Sequence, residues 1–301
     1  MTHEPVRIAV AINPASSFGA HSAVGMRIVE ALADRGVEVT TLVEASAEKL
    51  LAATVDAVRA TPDVLVAVGG DGLVNLAINA LAENQVPLAI VPTGTGNDLA
   101  RGLGIARQKP DAAAQRILDS LRSGSIRSID VGVATTSAGE RRFGGVVSVG
   151  FDARVNARAN RMRWPRGRAR YVVATLRELA GLRAERMTMA MDSEMTTRDV
   201  AFMSVANNRF IGGGMAIAPH ARLDDGMLDV VRVDPISRVT LLTFFPRVFA
   251  GTHTRLPIVH ERRVSEITVS GPKADVFADG ENLGALPVSI RVLPRALRVI
   301  V

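Results

Sequence analysis

The first 105 residues alternate short β-rich runs with amphipathic stretches, and that alternation is the strongest constraint on the fold. Residues 6–12, 37–43, 64–68 and 88–91 read as strands, because their apolar side chains come in short, bounded runs. Residues 23–35, 47–59 and 73–81 read as helices, because theirs recur at three- and four-residue spacing. Parallel strands need a long crossover, so a strand–helix–strand rhythm predicts a parallel sheet with helices on both faces. Helical pattern continues over 111–121, and Gly124-Ser125 then marks a change of character.

From about residue 128 the strand signals follow one another without regular helices between them: 129–134, 145–149, 200–205, 228–233, 267–270, 276–278 and 288–293. This half predicts an antiparallel β-sandwich. Two helices interrupt it, 171–182 and 239–250, the second expected to kink or split at Pro246. The expected class is α/β, with an N-terminal doubly wound domain over 1–127, to which 294–301 is a candidate to return, and a C-terminal antiparallel β-sandwich domain over 128–293.

Composition narrows the chemistry. The absence of cysteine excludes disulfides, thiolate metal sites and cysteine nucleophiles, so any metal is held by oxygen or imidazole. The histidines show no metal-ligand spacing. No apolar run approaches the roughly 18 residues of a membrane span, and 6–12 is too short for a signal peptide, which predicts a cytoplasmic protein. The net charge of +6 calls for an anionic partner. Seven arginines (154, 158, 161, 163, 166, 168 and 170) surround the only tryptophan, Trp164, with no acidic residue between the first and the last. An exposed basic loop with one amphipathic ring reads as a peripheral membrane contact, and arginines spread over a solvated helix face are the plainer alternative. Nucleic acid is not expected, since no helix-turn-helix, zinc or aromatic-platform pattern accompanies the charge. A homodimer paired through the sheets is compatible with this pattern.

In a doubly wound sheet, ligands collect beyond the carboxyl ends of the strands. Three loops there are unusual. Asn13, Pro14, Ala15, Ser16 and Ser17 form a turn rich in small polar side chains. Gly69, Gly70, Asp71 and Gly72 open the helix that carries Leu73, Val74, Asn75 and Leu76; the glycines allow close approach of a phosphate, and the helix N-terminus offers free N–H groups. Asp71 would repel phosphate unless a cation intervenes, so it is expected on magnesium, through water, or on a nucleotide hydroxyl. Gly94, Thr95, Gly96, Asn97 and Asp98 follow the next strand; Thr95 offers a hydroxyl, and Asn97 or Asp98 can cap the helix containing Arg101. Neither glycine loop has the Walker or dinucleotide spacing.

The joint occurrence of Gly69-Gly70-Asp71-Gly72 and Pro92-Thr93-Gly94-Thr95-Gly96-Asn97-Asp98 closely resembles the catalytic domain of the diacylglycerol kinase and sphingosine kinase family in its soluble bacterial form. The resemblance implies a nucleotide domain followed by a β-sandwich lipid domain, with ATP in the cleft between them. It also implies nucleotide contacts at 13–17, 70–76 and Thr95. The chain departs from the family at Leu73, where bacterial members usually have threonine, and at Leu76, where they have glutamate.

In the second half, Asp224, Asp225 and Asp229 surround Gly226 just before a strand, which suits a hard cation or a plain Asp-Gly turn. The resemblance implies structural magnesium held by the Asp225 side chain and the backbone carbonyls of Arg222 and Met227. Asp279-Gly280-Glu281 reads either as a type I′ hairpin turn or as a converging carboxylate pair with one raised pKa. The resemblance implies that Glu281 accepts the lipid hydroxyl proton, with Asp279 supporting it or sharing the role. The expected activity is an ATP- and magnesium-dependent lipid kinase that makes phosphatidic acid from diacylglycerol. The competitors are a kinase for a long-chain base, ceramide or glycolipid; an NAD kinase, disfavoured by the second-half acidic loop and the Arg/Trp segment; and a lipid-binding pseudokinase, prompted by Leu73 and Leu76.

Overall fold

A computed structural model of the chain describes residues 5–13, 20–82, 84–162, 164–165, 168–178, 181, 183–272 and 274–301. Its contacts divide it into two units, Met1–Ile129 with Arg295–Val301, and Asp130–Pro294.

The first unit runs β1 (Arg7–Ile12), α1 (Ala20–Ala33), β2 (Glu38–Val43), α2 (Ala47–Arg59), β3 (Val64–Gly69), α3 (Asp71–Ala80), β4 (Leu88–Pro92), α4 (Asp98–Gly102) and α5 (Pro110–Ser123). Its strands lie in the order β2-β1-β3-β4, all parallel. β3 and β4 are buried along their whole length, whereas the edge strand β2 is largely exposed, which matches their apolar and mixed sequences. α2 shows how locally the helices are specified. Ser46 caps it by accepting from Lys49 N–H, Glu48 and Arg59 suit the two dipole ends, and Leu50, Thr54 and Val58 bury one stripe at four-residue spacing.

The second unit continues with β5 (Ile126–Thr136), β6 (Gly139–Phe143), β7 (Val146–Gly150), α6 (Phe151–Arg161), α7 (Arg168–Glu178), β8 (Glu185–Met191), β9 (Glu194–Val200), β10 (Phe202–Ala206), β11 (Leu228–Val233), α8 (Arg238–Ala250), β12 (Val259–Val264), β13 (Glu266–Ser270), β14 (Asp275–Ala278), β15 (Glu281–Ala285) and β16 (Val288–Ile300). One antiparallel sheet has the order β12-β11-β10-β7-β14-β15. A second antiparallel set runs β16-β13-β8-β9. The sandwich core follows from strand alternation: Val147, Val149, Met203 and Val205 face Met187, Met189, Ile267 and Val269. The alternate residues Val146, Phe202 and Val231 pack on the other side with Phe151 and Val155 of α6 and Leu241 and Phe244 of α8. The last residues of β16 belong to the first unit, where Val299 and Ile300 pair in parallel with Leu88 and Ala89.

The expected class, a parallel N-terminal sheet and an antiparallel C-terminal sandwich, therefore holds. Pro246 lies inside α8, so of the two alternatives expected for that helix the split does not hold. The strand expected over 200–205 is two strands, interrupted at Ala201, whose N–H is spent on Val233 O. The arginine-rich stretch, read as a basic loop or as arginines on a helix face, is helical over α6, where Arg154 Nη1 lies 2.9 Å from Glu185 Oε1 and Arg158 pairs with Glu178. Among the described residues no helix is long and apolar enough to cross a membrane.

Candidate active site

In the first unit the two glycine-rich loops lie back to back. Thr93 N–H donates to Gly69 O at 2.9 Å, and a Cβ built on Gly94 would stand 2.5 Å from the Gly70 Cα. Only glycine at both positions allows that approach, since neither backbone can move aside. A side chain on Gly69 would strike Leu73 at 2.7 Å, whereas Gly72 faces open space. The glycines thus divide their work: Gly69, Gly70 and Gly94 let the loops pack, and Gly72 leaves the first turn of α3 uncovered, where the N–H groups and dipole of a helix N-terminus attract anions.

Asp71 joins the loops. Its Oδ2 accepts from Asn97 N–H at 2.8 Å and its Oδ1 from Asp98 N–H at 2.6 Å. The carboxylate of one loop thereby caps α4 of the other, while Asn97 sits in the left-handed region at φ 54° and makes no side-chain cap of its own; its Nδ2 bonds Gly94 O at 2.7 Å. Burial raises the Asp71 pKa, and the backbone donors from Asp98 and Asn97 oppose that rise. The sequence expectation put this carboxylate on magnesium or a nucleotide hydroxyl; each of its oxygens accepts a backbone N–H from the neighbouring loop, so Asp71 also clamps the two loops together.

Arg107, which no sequence motif singled out, holds the same loop from the other side by donating through Nη2 to Thr93 O at 2.7 Å and to Gly94 O. The loop, Arg101 and Arg107 line a pocket of about 600 Å3 in which Thr95 is exposed. This volume suits a small-molecule ligand, and the lining combines backbone amides, one hydroxyl and two guanidiniums, a set that recognises phosphate. Leu73, Val74 and Asn75 are buried and Leu76 half-buried, so the first three reach a ligand only through their backbone. Asn13 is half-buried at the end of β1, and Pro14, Ala15, Ser16 and Ser17 lie outside the described residues.

In the second unit, Asp279 and Gly280 form the two-residue turn between β14 and β15 with φ of 48° and 82°, the type I′ signature. The Asp279 carboxylate accepts three backbone N–H groups, from Gly144 (3.0 Å), Gly145 (3.0 Å) and Val146 (2.9 Å). Both oxygens are engaged, which gives Asp279 an anchoring role at the turn that presents Glu281. Glu281 follows the turn, exposed, at the start of β15.

In the acidic loop Asp225 takes Met227 N–H at 3.2 Å and an ion pair from Arg263, while Arg222 is exposed. Asp130, fully buried at 0% exposure, braces the loop by accepting Gly226 N–H at 2.7 Å and giving its own N–H to Leu223 O at 2.6 Å. Its sequence signal was an acid inside the apolar run Ile129-Asp130-Val131. Burial, opposed by Arg263 and reinforced by Asp225 and Glu261, pushes the Asp229 carboxyl up to about 6. Asp229 Oδ2 is buried with no hydrogen-bond partner. Among the described residues no three metal-ligating side chains gather. The loop nonetheless fits a hard cation held by one carboxylate and backbone carbonyls, since a buried, partnerless carboxylate oxygen marks unmet demand for positive charge.

Comparison with known proteins decides the family. Residues 7–134 match the diacylglycerol kinase catalytic domain and residues 145–301 the YegS C-terminal NAD kinase beta sandwich-like domain. A diacylglycerol kinase from Mycobacterium tuberculosis (strain CDC 1551 / Oshkosh) is 38% identical over 99% of this chain and 96% of its own length. The chain belongs to the diacylglycerol kinase family of lipid kinases. A relative named probable lipid kinase YegS-like from Pseudomonas aeruginosa (strain UCBPP-PA14) is 31% identical over 78% of this chain and 75% of its own. The fold recurs in the crystal structure of a diacylglycerol kinase from Bacillus anthracis str. Sterne, with a TM-score of 0.72 at 20% identity over 100% of this chain and 97% of that one. This lipid kinase therefore carries, in its first unit, the phosphate-suited pocket between β4 and α5, and in its second unit Glu281 and the acidic loop.

Proposed function

We propose that this lipid kinase transfers the γ-phosphoryl group of ATP to the hydroxyl of diacylglycerol, giving phosphatidic acid and ADP. The observation that carries the nucleotide half is the pocket of Thr95, Arg101, Arg107 and the clamped glycine loops, where amides and guanidiniums converge without a Walker lysine. Phosphoryl transfer asks the protein mainly to position the groups and to spread negative charge, and these donors do both. The choice of diacylglycerol rests on the relatives that bear that name over nearly the whole chain.

In the proposed step the acceptor oxygen attacks the γ-phosphorus, the bond to the bridging β–γ oxygen breaks, and the hydroxyl proton passes to the Glu281 carboxylate. Glu281 is the candidate because it is exposed, whereas the Asp279 carboxylate holds three backbone N–H groups. Asp225, with the carbonyls of Arg222 and Met227, would hold a structural magnesium ion, which would supply positive charge to the loop that Asp130 braces. The experiment is transfer of labelled phosphate from ATP to a lipid panel in mixed micelles, with and without a chelator. Labelled phosphatidic acid that disappears with the chelator supports the proposal. Label on a long-chain base, ceramide or glycolipid instead would keep the enzyme class and change the acceptor. Nucleotide binding without transfer to any lipid would refute catalysis.

A further inference from the structure

We propose that Asn160, in the last turn of α6, is a positioning residue for Glu281: it holds the carbonyl of Gly280 and so fixes the peptide from which Glu281 projects. The inference rests on the reading of Glu281 as proton acceptor and adds the group that aims it. Asn160 Nδ2 donates to Gly280 O at 2.6 Å, across 120 residues of chain. A peptide unit is planar, so the Gly280 carbonyl and the Glu281 N–H and Cα turn as one body. A side chain that grips the carbonyl therefore sets the direction in which Glu281 leaves the turn.

The turn needs that hold from outside. The bonds of the Asp279 carboxylate to the amides of 144–146 end one residue before Gly280. Gly280 sits at φ 82° with open space where a Cβ would stand, so no side chain and no packed neighbour on that side restrains its peptide. The closing hydrogen bond of a β-turn joins the residues on either side of it, here the paired Ala278 and Glu281, which leaves the Gly280 carbonyl outside the ladder. β15 is also the edge strand of its sheet, and Glu281 and Asn282 at its start are exposed.

The helix that supplies the hold is itself fixed to the same sheet. Val155 and Ala159 bury α6 in the core. Asn156, one turn before Asn160 and buried, donates through Nδ2 to Ser148 Oγ at 3.2 Å on β7, and Ser148 pairs with Phe277 of β14. Residues four apart share a helix face, so two asparagines on one face tie α6 to neighbouring parts of the sheet. The first reaches the strand beside β14, and the second reaches the turn after β14. A carbonyl accepts only from a donor, so this contact uses the amide NH2 group and is lost with aspartate, which has the same shape but, when ionised, only acceptors. Asn160 is exposed, so its removal leaves no cavity.

The experiment is a double-mutant cycle on the full chain, with ATP and diacylglycerol in mixed micelles. It reads kcat, KM and melting temperature for Asn160→Ala, Asn160→Asp, Glu281→Gln, and Asn160→Ala combined with Glu281→Gln. Asn160→Ala and Asn160→Asp should each lower kcat about tenfold, part of the ~100-fold that a misplacement of about 1 Å can cost. KM for both substrates and the melting temperature should stay at the parent values. In the Glu281→Gln background the loss from Asn160→Ala should vanish, because a residue that acts only through Glu281 then has nothing left to aim. A tenfold loss that persists in that background would overturn the proposal, as would a loss that appears in KM or follows a lowered melting temperature. A Glu281→Gln protein that is impaired beside an Asn160→Ala protein at the parent rate would overturn this inference alone. Parent-rate transfer by Glu281→Gln would remove the proton-acceptor reading and this inference with it, so the two failures are distinguishable.

Discussion

Replacing Asp71 with alanine in the nucleotide-free protein separates a clamp from a ligand. The carboxylate receives two backbone N–H groups at 2.8 and 2.6 Å, from Asn97 and Asp98, 26 and 27 residues away. Hydrogen bonds to a charged partner contribute about 1.5–3 kcal/mol each, so the pair is worth roughly 3–6 kcal/mol before other terms. Burial raises the Asp71 pKa, so ionising the group has a cost, and its removal returns part of that sum. The net loss expected for Asp71→Ala is about 2–4 kcal/mol, and for Asp71→Asn, which keeps one acceptor but turns an amide N–H toward a backbone donor, about half of that or more. The assays are thermal melting and urea denaturation followed by far-ultraviolet circular dichroism without ATP or magnesium. The expected shift in melting temperature is a drop of about 5–12 °C, at roughly 2–4 °C per kcal/mol for a chain of this size class. A melting temperature unchanged or raised in Asp71→Ala, with only ATP affinity reduced, would refute the clamp.

Other predictions follow from the same contacts. Gly72→Ala adds a methyl in open space on α3 and should leave stability equal or raise it by up to about 1 kcal/mol, while ATP affinity, measured by titration calorimetry, falls if phosphate sits on that uncovered turn. Gly94→Ala meets the Gly70 backbone and should cost stability as well as binding, both visible in a melting curve with and without ATP. Asp279→Ala strands three N–H groups and should destabilise the protein by about 3 kcal/mol or more in urea denaturation. His253 is fully buried, with Nε2 3.0 Å from Ile217 O, and burial lowers its pKa below the ordinary 6.5. The unfolded chain then binds more protons in the window between that ordinary value and the lowered one. Stability present above pH 6.5 should therefore fall as pH drops, by at most about 1.4 kcal/mol per unit; His253→Gln should flatten that slope in urea titrations at stepped pH.

The parts of this fold that sequence reveals are those written within one turn or one strand. The buried runs of β3 and β4 and the stripe of α2 carry their own periodicity, and the change to unbroken strand signals after Gly124 announces the antiparallel half. What stayed hidden depends on partners distant in the chain. The sequence left α6 open between a basic loop and a helix face because Glu178 and Glu185, which neutralise Arg158 and Arg154, lie 20 and 31 residues on. The clamp made by Asp71 was hidden because its donors lie on the next loop. The Asp279-Gly280 turn and an anchored carboxylate proved to be the same object, since the donors from 144–146 are more than 130 residues away. Arg107 and Asp130 fall in no motif; an arginine that grips two loop carbonyls and an acid that accepts one amide differ in sequence from neither a surface charge nor a strand interruption.

Glu281 bears the central claim, and a single comparison tests it most directly: the rate of phosphoryl transfer from ATP to diacylglycerol by Glu281→Gln, set beside its melting temperature. Glu281 is exposed, so the substitution should leave stability within about 0.5 kcal/mol of the parent protein. Loss of a proton acceptor should lower the rate about 10²–10⁴-fold with ATP affinity unchanged. A Glu281→Gln protein that melts like its parent and still makes phosphatidic acid at the parent rate would contradict the account.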